Sequence, residues 1–189
     1  MLDLRHIKPI HIWVLLMLIS LMACTETSAN FGKYYRGKTL DVNIVKLERL
    51  PELLYSTIDS DQVPHYFRIV PSEDQLELVI LRVKVENHTA TSAIVNIDSQ
   101  AAELRDFFQG KYFPMNVNER VEEIDPPDRR IADRSVVFLW NKTYQDGTSE
   151  AFTLPRDFGI DGILVFEAPE DTKFRELRWR AGDTLSIRF

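Results

Sequence analysis

The chain reads as an antiparallel β-sandwich. Apolar residues recur with a period of two along most of its length, turn-forming clusters separate those runs, and no long amphipathic helices alternate with them. Eight to ten short strands with frequent turns fit a sandwich, whereas a parallel sheet would need crossover helices. With 44% apolar residues in 189, the chain can bury the core of one ordinary domain.

The elements follow in order. Leu40, Val42 and Ile44 alternate with Asp41 and Asn43. Val79, Leu81, Val83 and Val85 alternate with Ile80, Arg82, Lys84 and Glu86. That second run begins apolar on both faces and becomes polar on one, so its start is central and its end lies nearer a rim. Val136, Phe138 and Trp140 form a third run, and Ile163-Leu164-Val165-Phe166 is a continuous apolar stretch between Gly162 and Pro169. Leu185, Ile187 and Phe189 close the chain in alternation. Asp146-Gly147 is the clearest hairpin turn, because Gly adopts positive φ cheaply. Asn87-His88-Thr89, Ala168-Pro169-Glu170-Asp171 and Ala181-Gly182-Asp183 are further turns. One or two short helical turns are expected, at residues 47–54 and 101–108, with Pro51 early in the first or interrupting it.

The N-terminus is a separate unit. Arg5 and Lys8 oppose Asp3, and an apolar segment then runs over 12–22. It is too short to cross a hydrocarbon core comfortably, which takes roughly 20 apolar residues. A basic start, a short apolar core and small residues at its end mark a secretory signal. The ending Leu21-Met22-Ala23-Cys24 resembles the lipobox of bacterial lipoproteins. That resemblance implies cleavage before Cys24 and a diacylglycerol on its sulfur. Ordinary secretion would instead use Thr27-Ser28-Ala29, and an uncleaved segment would remain as an N-terminal span. The expected organisation is therefore a signal at 1–23, a lipidated cysteine with a flexible tether at 24–37, and the β-domain at 38–189. The tether would span about 20 Å. Thr25 stands where lipoproteins retained at an inner membrane often carry aspartate. The address is thus the cell envelope, on the outer face of the cytoplasmic membrane or at the outer membrane.

Charge and cysteine content exclude several function classes. The net charge is −6, and removing residues 1–23 with Asp3, Arg5 and Lys8 makes the rest one unit more acidic. Such a chain is a poor generic partner for nucleic acid, which requires clustered Lys and Arg. Cys24 is the only cysteine. Its lipidation leaves the domain without a disulfide, a cysteine nucleophile or a thiolate metal site. No cofactor is expected.

Three motifs resemble a family of bacterial extracellular immunoglobulin-like domains, a domain of unknown function common in lipoproteins. They are Val83-Lys84-Val85-Glu86-Asn87, the segment from Leu104 to Gly110-Lys111-Tyr112, and Gly162-Ile163-Leu164-Val165-Phe166-Glu167-Ala168-Pro169 with Leu177 beyond it. Together they cover roughly residues 76–189. The family usually has Pro-Gly before the late strand, where this chain reads Leu154-Pro155-Arg156-Asp157-Phe158-Gly159, and 118–134 is long and charged for its place. The resemblance implies a seven- to nine-stranded immunoglobulin-like sandwich outside the cytoplasm, with no established catalytic residues.

Candidate chemistry is sparse. His65 and His88 have no second ligand at metal spacing and read as structural or solvated. No nucleophile elbow or phosphate loop occurs. Glu122, Glu123, Asp125 and Asp128 form an acidic loop with oxygen ligands suited to calcium. Pro126 and Pro127 stiffen it, and Arg129 and Arg130 stand ready to neutralise it. Arg175, Arg178, Arg180 and Arg188 read as charged guards of an edge strand or as a patch for anionic headgroups. Trp140 and Trp179 read as core. The sequons at Asn87 and Asn141 read as chance in a bacterial chain. The expected function is a non-enzymatic, membrane-anchored envelope lipoprotein acting through protein or ligand contacts. A cation- or ligand-binding module on 118–134 is the alternative, and a hydrolase ranks below it.

Overall fold

In the computed structural model the described residues are 25–26, 28–58, 61–96, 100–127 and 151–189. Their strands are β1 (Thr25–Glu26), β2 (Tyr34–Arg36), β3 (Leu40–Leu50), β4 (Leu53–Ile58), β5 (Pro64–Ile69), β6 (Leu76–Asn87) and β7 (Ser92–Asn96). These are followed by β8 (Ala102–Asp106), β9 (Lys111–Tyr112), β10 (Glu122–Ile124), β11 (Ala151–Pro155), β12 (Phe158–Pro169), β13 (Phe174–Trp179) and β14 (Leu185–Arg188). A single 3₁₀ turn at Val117–Glu119 is the only helical piece among the described residues. The fold is all-β and antiparallel, as the alternation predicts. The expected strand at 136–140 and the Asp146-Gly147 turn lie outside the described residues.

A central sheet runs β1-β3-β6-β12, with β2 also on β3. One face of it packs on β14-β13-β8-β9 and on the β7–β11 pair. Leu40, Val42, Ile44 and Leu47 of β3, Val79, Leu81, Val83 and Val85 of β6, and Leu164 and Phe166 of β12 meet Leu104, Leu177, Trp179 and Ile187 there. Burying a side chain such as Leu81 or Phe166 is worth about 2–3 kcal/mol. The opposite face is covered at one end by β10-β5-β4. Leu78 and Ile80 of β6 and Val165 of β12 pack there against Leu53, Tyr55 and Ile69. Burial in this layer pushes the Tyr55 phenol up to about 12. The third layer explains why β6 begins apolar on both faces, and why Ile163 to Phe166 is a continuous apolar run.

Two local expectations change. Residues 47–54 form the end of β3, a break at Pro51, and the start of β4. Residues 101–108 hold β8 and the turn after it. The stretch 24–37, expected as a tether, is built into the sheet over its described part. Thr25 pairs with Glu48 and Tyr35 with Val42. Gly32 N donates to Ile44 O at 2.8 Å, Asn30 Nδ2 donates to Arg188 O at 2.9 Å, and the Phe31 ring lies 5.4 Å from that of Phe189.

Candidate functional site

The acidic segment is mostly strand. β10 pairs with β5, which sets Glu122 opposite Arg68 and Glu123 opposite Phe67. Alternation sends the two carboxylates to opposite faces. Arg68 Nη2 donates to Glu122 Oε2 at 2.7 Å, and His65 Nδ1 lies 2.8 Å from Glu123 Oε1. The Glu122 carboxylate raises the Arg68 pKa by hydrogen bond and charge. Arg68 of the neighbouring strand therefore neutralises Glu122, while His65 contacts Glu123. Asp125 is exposed beyond the strand. Asp128, Arg129 and Arg130 lie outside the described residues. Among the described residues no three His, Cys, Asp or Glu side chains are grouped to hold a metal ion.

The arginines form a cross-strand ladder on the outer face of β8, β13 and β14. Arg178 stands opposite Glu103 on one side and Ser186 on the other, while Glu176 stands opposite Arg105 and Arg188. Arg105 and Arg180 both donate to Glu103, the latter at 3.1 Å. Ser186 Oγ and Arg178 Nε donate to Glu176. Arg175 is the extra residue of a bulge between Phe174 and Glu176. The bulge lets Phe174, Leu177 and Trp179 all face inward. Burial raises the Glu103 pKa, but Arg105 and Arg180 outweigh it and hold the carboxyl below its usual range. The hydroxyl of Ser186 and the charge of Arg178 do the same for Glu176 against burial. β14 is an edge strand and carries Arg188, while Arg178 sits one strand inside it on β13 and Arg180 directly follows β13.

Other singled-out residues are structural. Trp179 is fully buried and donates from Nε1 to Ala181 O at 2.9 Å. Trp140 lies outside the described residues. His88 Nε2 lies 2.8 Å from Asp41 Oδ1, a close polar contact without hydrogen-bond alignment. Asn87 is fully buried, and its Nδ2 donates to Ala90 O at 3.0 Å and Leu154 O at 2.8 Å. A glycan on that nitrogen would replace one of its two hydrogens, breaking one of these bonds, and a fully buried amide leaves it no room, which disposes of the first sequon. Asn141 is outside the described residues.

One feature is not visible in the sequence pattern. An open cleft of about 440 Å³ lies where β3 ends and β6 begins, between Leu50, Val70, Leu76 and the carboxylates of Glu73 and Glu170. Arg49 lines it but is fully engaged. It donates to Glu77 and to Thr172 O, and its guanidinium carbon sits 5.1 Å from the centre of the Phe174 ring. Arg49 hides in the sequence because it falls inside the stretch that mimics a helix.

No family model matches the chain, and no curated protein matches it. Among solved structures it is similar to the candidate lipoprotein ycdA of Bacillus subtilis strain 168, with a TM-score of 0.44 and 16% identity. That match covers 86% of this chain and 39% of the other, so the chain spans well under half of the ycdA protein. The yjhA protein of Bacillus subtilis matches with a TM-score of 0.43 and 16% identity, covering 82% of this chain and 84% of that one.

Proposed function

We propose that this chain is a lipid-anchored protein of the bacterial cell envelope. Its immunoglobulin-like domain works through contacts with a protein or small ligand rather than by catalysis. The observation that carries the reading is Leu21-Met22-Ala23-Cys24, whose lone cysteine directly precedes the first residue of β1. A diacylglycerol on Cys24 supplies the two chains that stable anchoring takes. No helix among the described residues is long and apolar enough to cross a membrane.

Fractionation and mass spectrometry of the native N-terminus test this. The wild-type protein should sediment with membranes and begin at a diacylglyceryl Cys24, and Cys24→Ser should move it to the soluble fraction. An unlipidated mature chain beginning at Asn30, or membrane retention of Cys24→Ser, would sink the reading.

A further inference from the structure

The chain start and one hairpin tip share an end of the molecule. Thr25 stands opposite Glu48 of β3. The next β3 residue, Arg49, covers the ring of Phe174. Phe174 stands opposite Asp106, the last residue of β8. From there the chain turns through Phe107-Phe108-Gln109-Gly110 into β9. Phe107 is 60% exposed and Phe108 92%.

This tip is held rigidly. Asp106 Oδ1 accepts from Phe108 N at 2.8 Å and from Gly110 N at 2.7 Å, while Oδ2 accepts from Tyr112 OH at 3.1 Å. Gln109 takes φ of 71°, and a Cβ on Gly110 would lie 2.5 Å from the Asp106 carboxylate. Scattered single apolar residues on a surface need no explanation. Two adjacent phenylalanines held outward by a buried carboxylate do.

We infer that the Phe107-Phe108 tip is a second membrane contact, inserted in the same bilayer that takes the lipid of Cys24. The inference rests on the lipid-anchor reading. One peptide bond joins Cys24 to Thr25, so acyl chains on that cysteine leave the domain at this end. Large apolar side chains are stabilised at the boundary of headgroups and acyl chains. Once the anchor is in place, the tip meets the surface intramolecularly, so a weak contact suffices. Lys111 and Lys173 beside the tip are offset by Glu170 and Asp171, all four exposed. The attraction is therefore apolar and requires no anionic lipid.

The test uses the mature chain, residues 24–189, which holds every described strand and a single cysteine. A dialkyl lipid coupled to Cys24 through maleimide sets the anchor there whether or not the cell does. In phosphatidylcholine vesicles doped with brominated lipid, Phe108→Trp should add an emission that is blue-shifted and severalfold quenched, after subtraction of the wild-type signal. Phe158→Trp is the control, because Phe158 is exposed and pairs with Asn87 at the far end of β6. That is about 35 Å away along the strand, and its emission should stay unquenched. An unquenched indole at position 108, equal quenching at both sites, or a vesicle-free dimer that buries the position-108 indole overturns the inference. Failure of the anchor reading is seen separately, as a native N-terminus without lipid.

Discussion

Gly182 and Gly32 share a left-handed backbone, with φ of 74° and 77°. Their surroundings differ. A Cβ at Gly182 would sit 2.2 Å from the Ile94 carbonyl oxygen, whereas at Gly32 it would meet nothing within 4 Å. Gly32→Ala should therefore cost only the backbone strain, about 1–2 kcal/mol. Gly182→Ala should cost about 3 kcal/mol or more, because a main-chain atom must move as well. Urea unfolding followed by tryptophan fluorescence compares them, and equal losses would refute the steric account. The sequence marks Gly182 as a turn glycine and leaves Gly32 in the expected tether. Only the fold distinguishes a crowded turn from an open one. The acidic segment teaches the same lesson: Glu122 and Glu123 stand out in the sequence, but Arg68 and His65 are more than fifty residues away.

Asn87 ends β6 and ties it to β11 and to the turn before β7 through its amide, with Oδ1 accepting from Ala90 N at 3.1 Å. Asn87→Ala would leave the Leu154 and Ala90 carbonyls and one amide unpaired, for an expected loss of about 2 kcal/mol. A chemical-denaturation loss under about 0.5 kcal/mol would show that water replaces the side chain. At this scale the strands were legible wherever alternation ran unbroken, as in β6, β14 and the first half of β3. They were illegible where a bulge reset the phase. The β3 register skips Val45, so inward positions run Leu40, Val42, Ile44, then Leu47. Leu47, Leu50 and Leu54 then repeat at helical spacing although all are strand residues. In β8 and the turn after it the chemistry is inverted. Glu103 is buried under arginines while Phe108 projects into solvent, so a polarity pattern misreads the element. The cleft beside Arg49 and Leu50 lies at the end of β3, past that bulge, and could not be read.

For the molecule as a whole, acid is the expected weakness. Arg82 holds Asp161 below its usual range by hydrogen bond and charge, against partial burial. Burial raises Asp183, but the amides of Thr39, Leu40 and Thr184 outweigh it. With Glu103 and Glu176, these carboxylates titrate lower in the fold than in the unfolded chain. Each contributes stability that is complete above the unfolded value of about 4 and is lost as pH falls through the lower folded value. The urea midpoint should therefore hold its contribution from these groups at neutral pH and decline below about pH 4.5. Glu103→Gln should lower stability more at pH 6 than at pH 3.5. A uniform loss at both would remove Glu103 from the acid response.

The docking of β1 and β2 onto β3 also has a mechanical consequence. Under the anchored reading, any pull between membrane and domain first loads β1, whose ladder pairs only two residues with β3. Antiparallel pairs loaded at one end open one after another rather than all at once. Beyond β1 the load meets the clasp of Phe31 on Phe189 and then the three residue pairs of β2. Peeling those twelve residues, 25 to 36, would let out at most about 40 Å of chain while the core between the two large sheets stays shut. Under the same reading the leash would be stored as strand, released by tension, and rewound when the tension is gone.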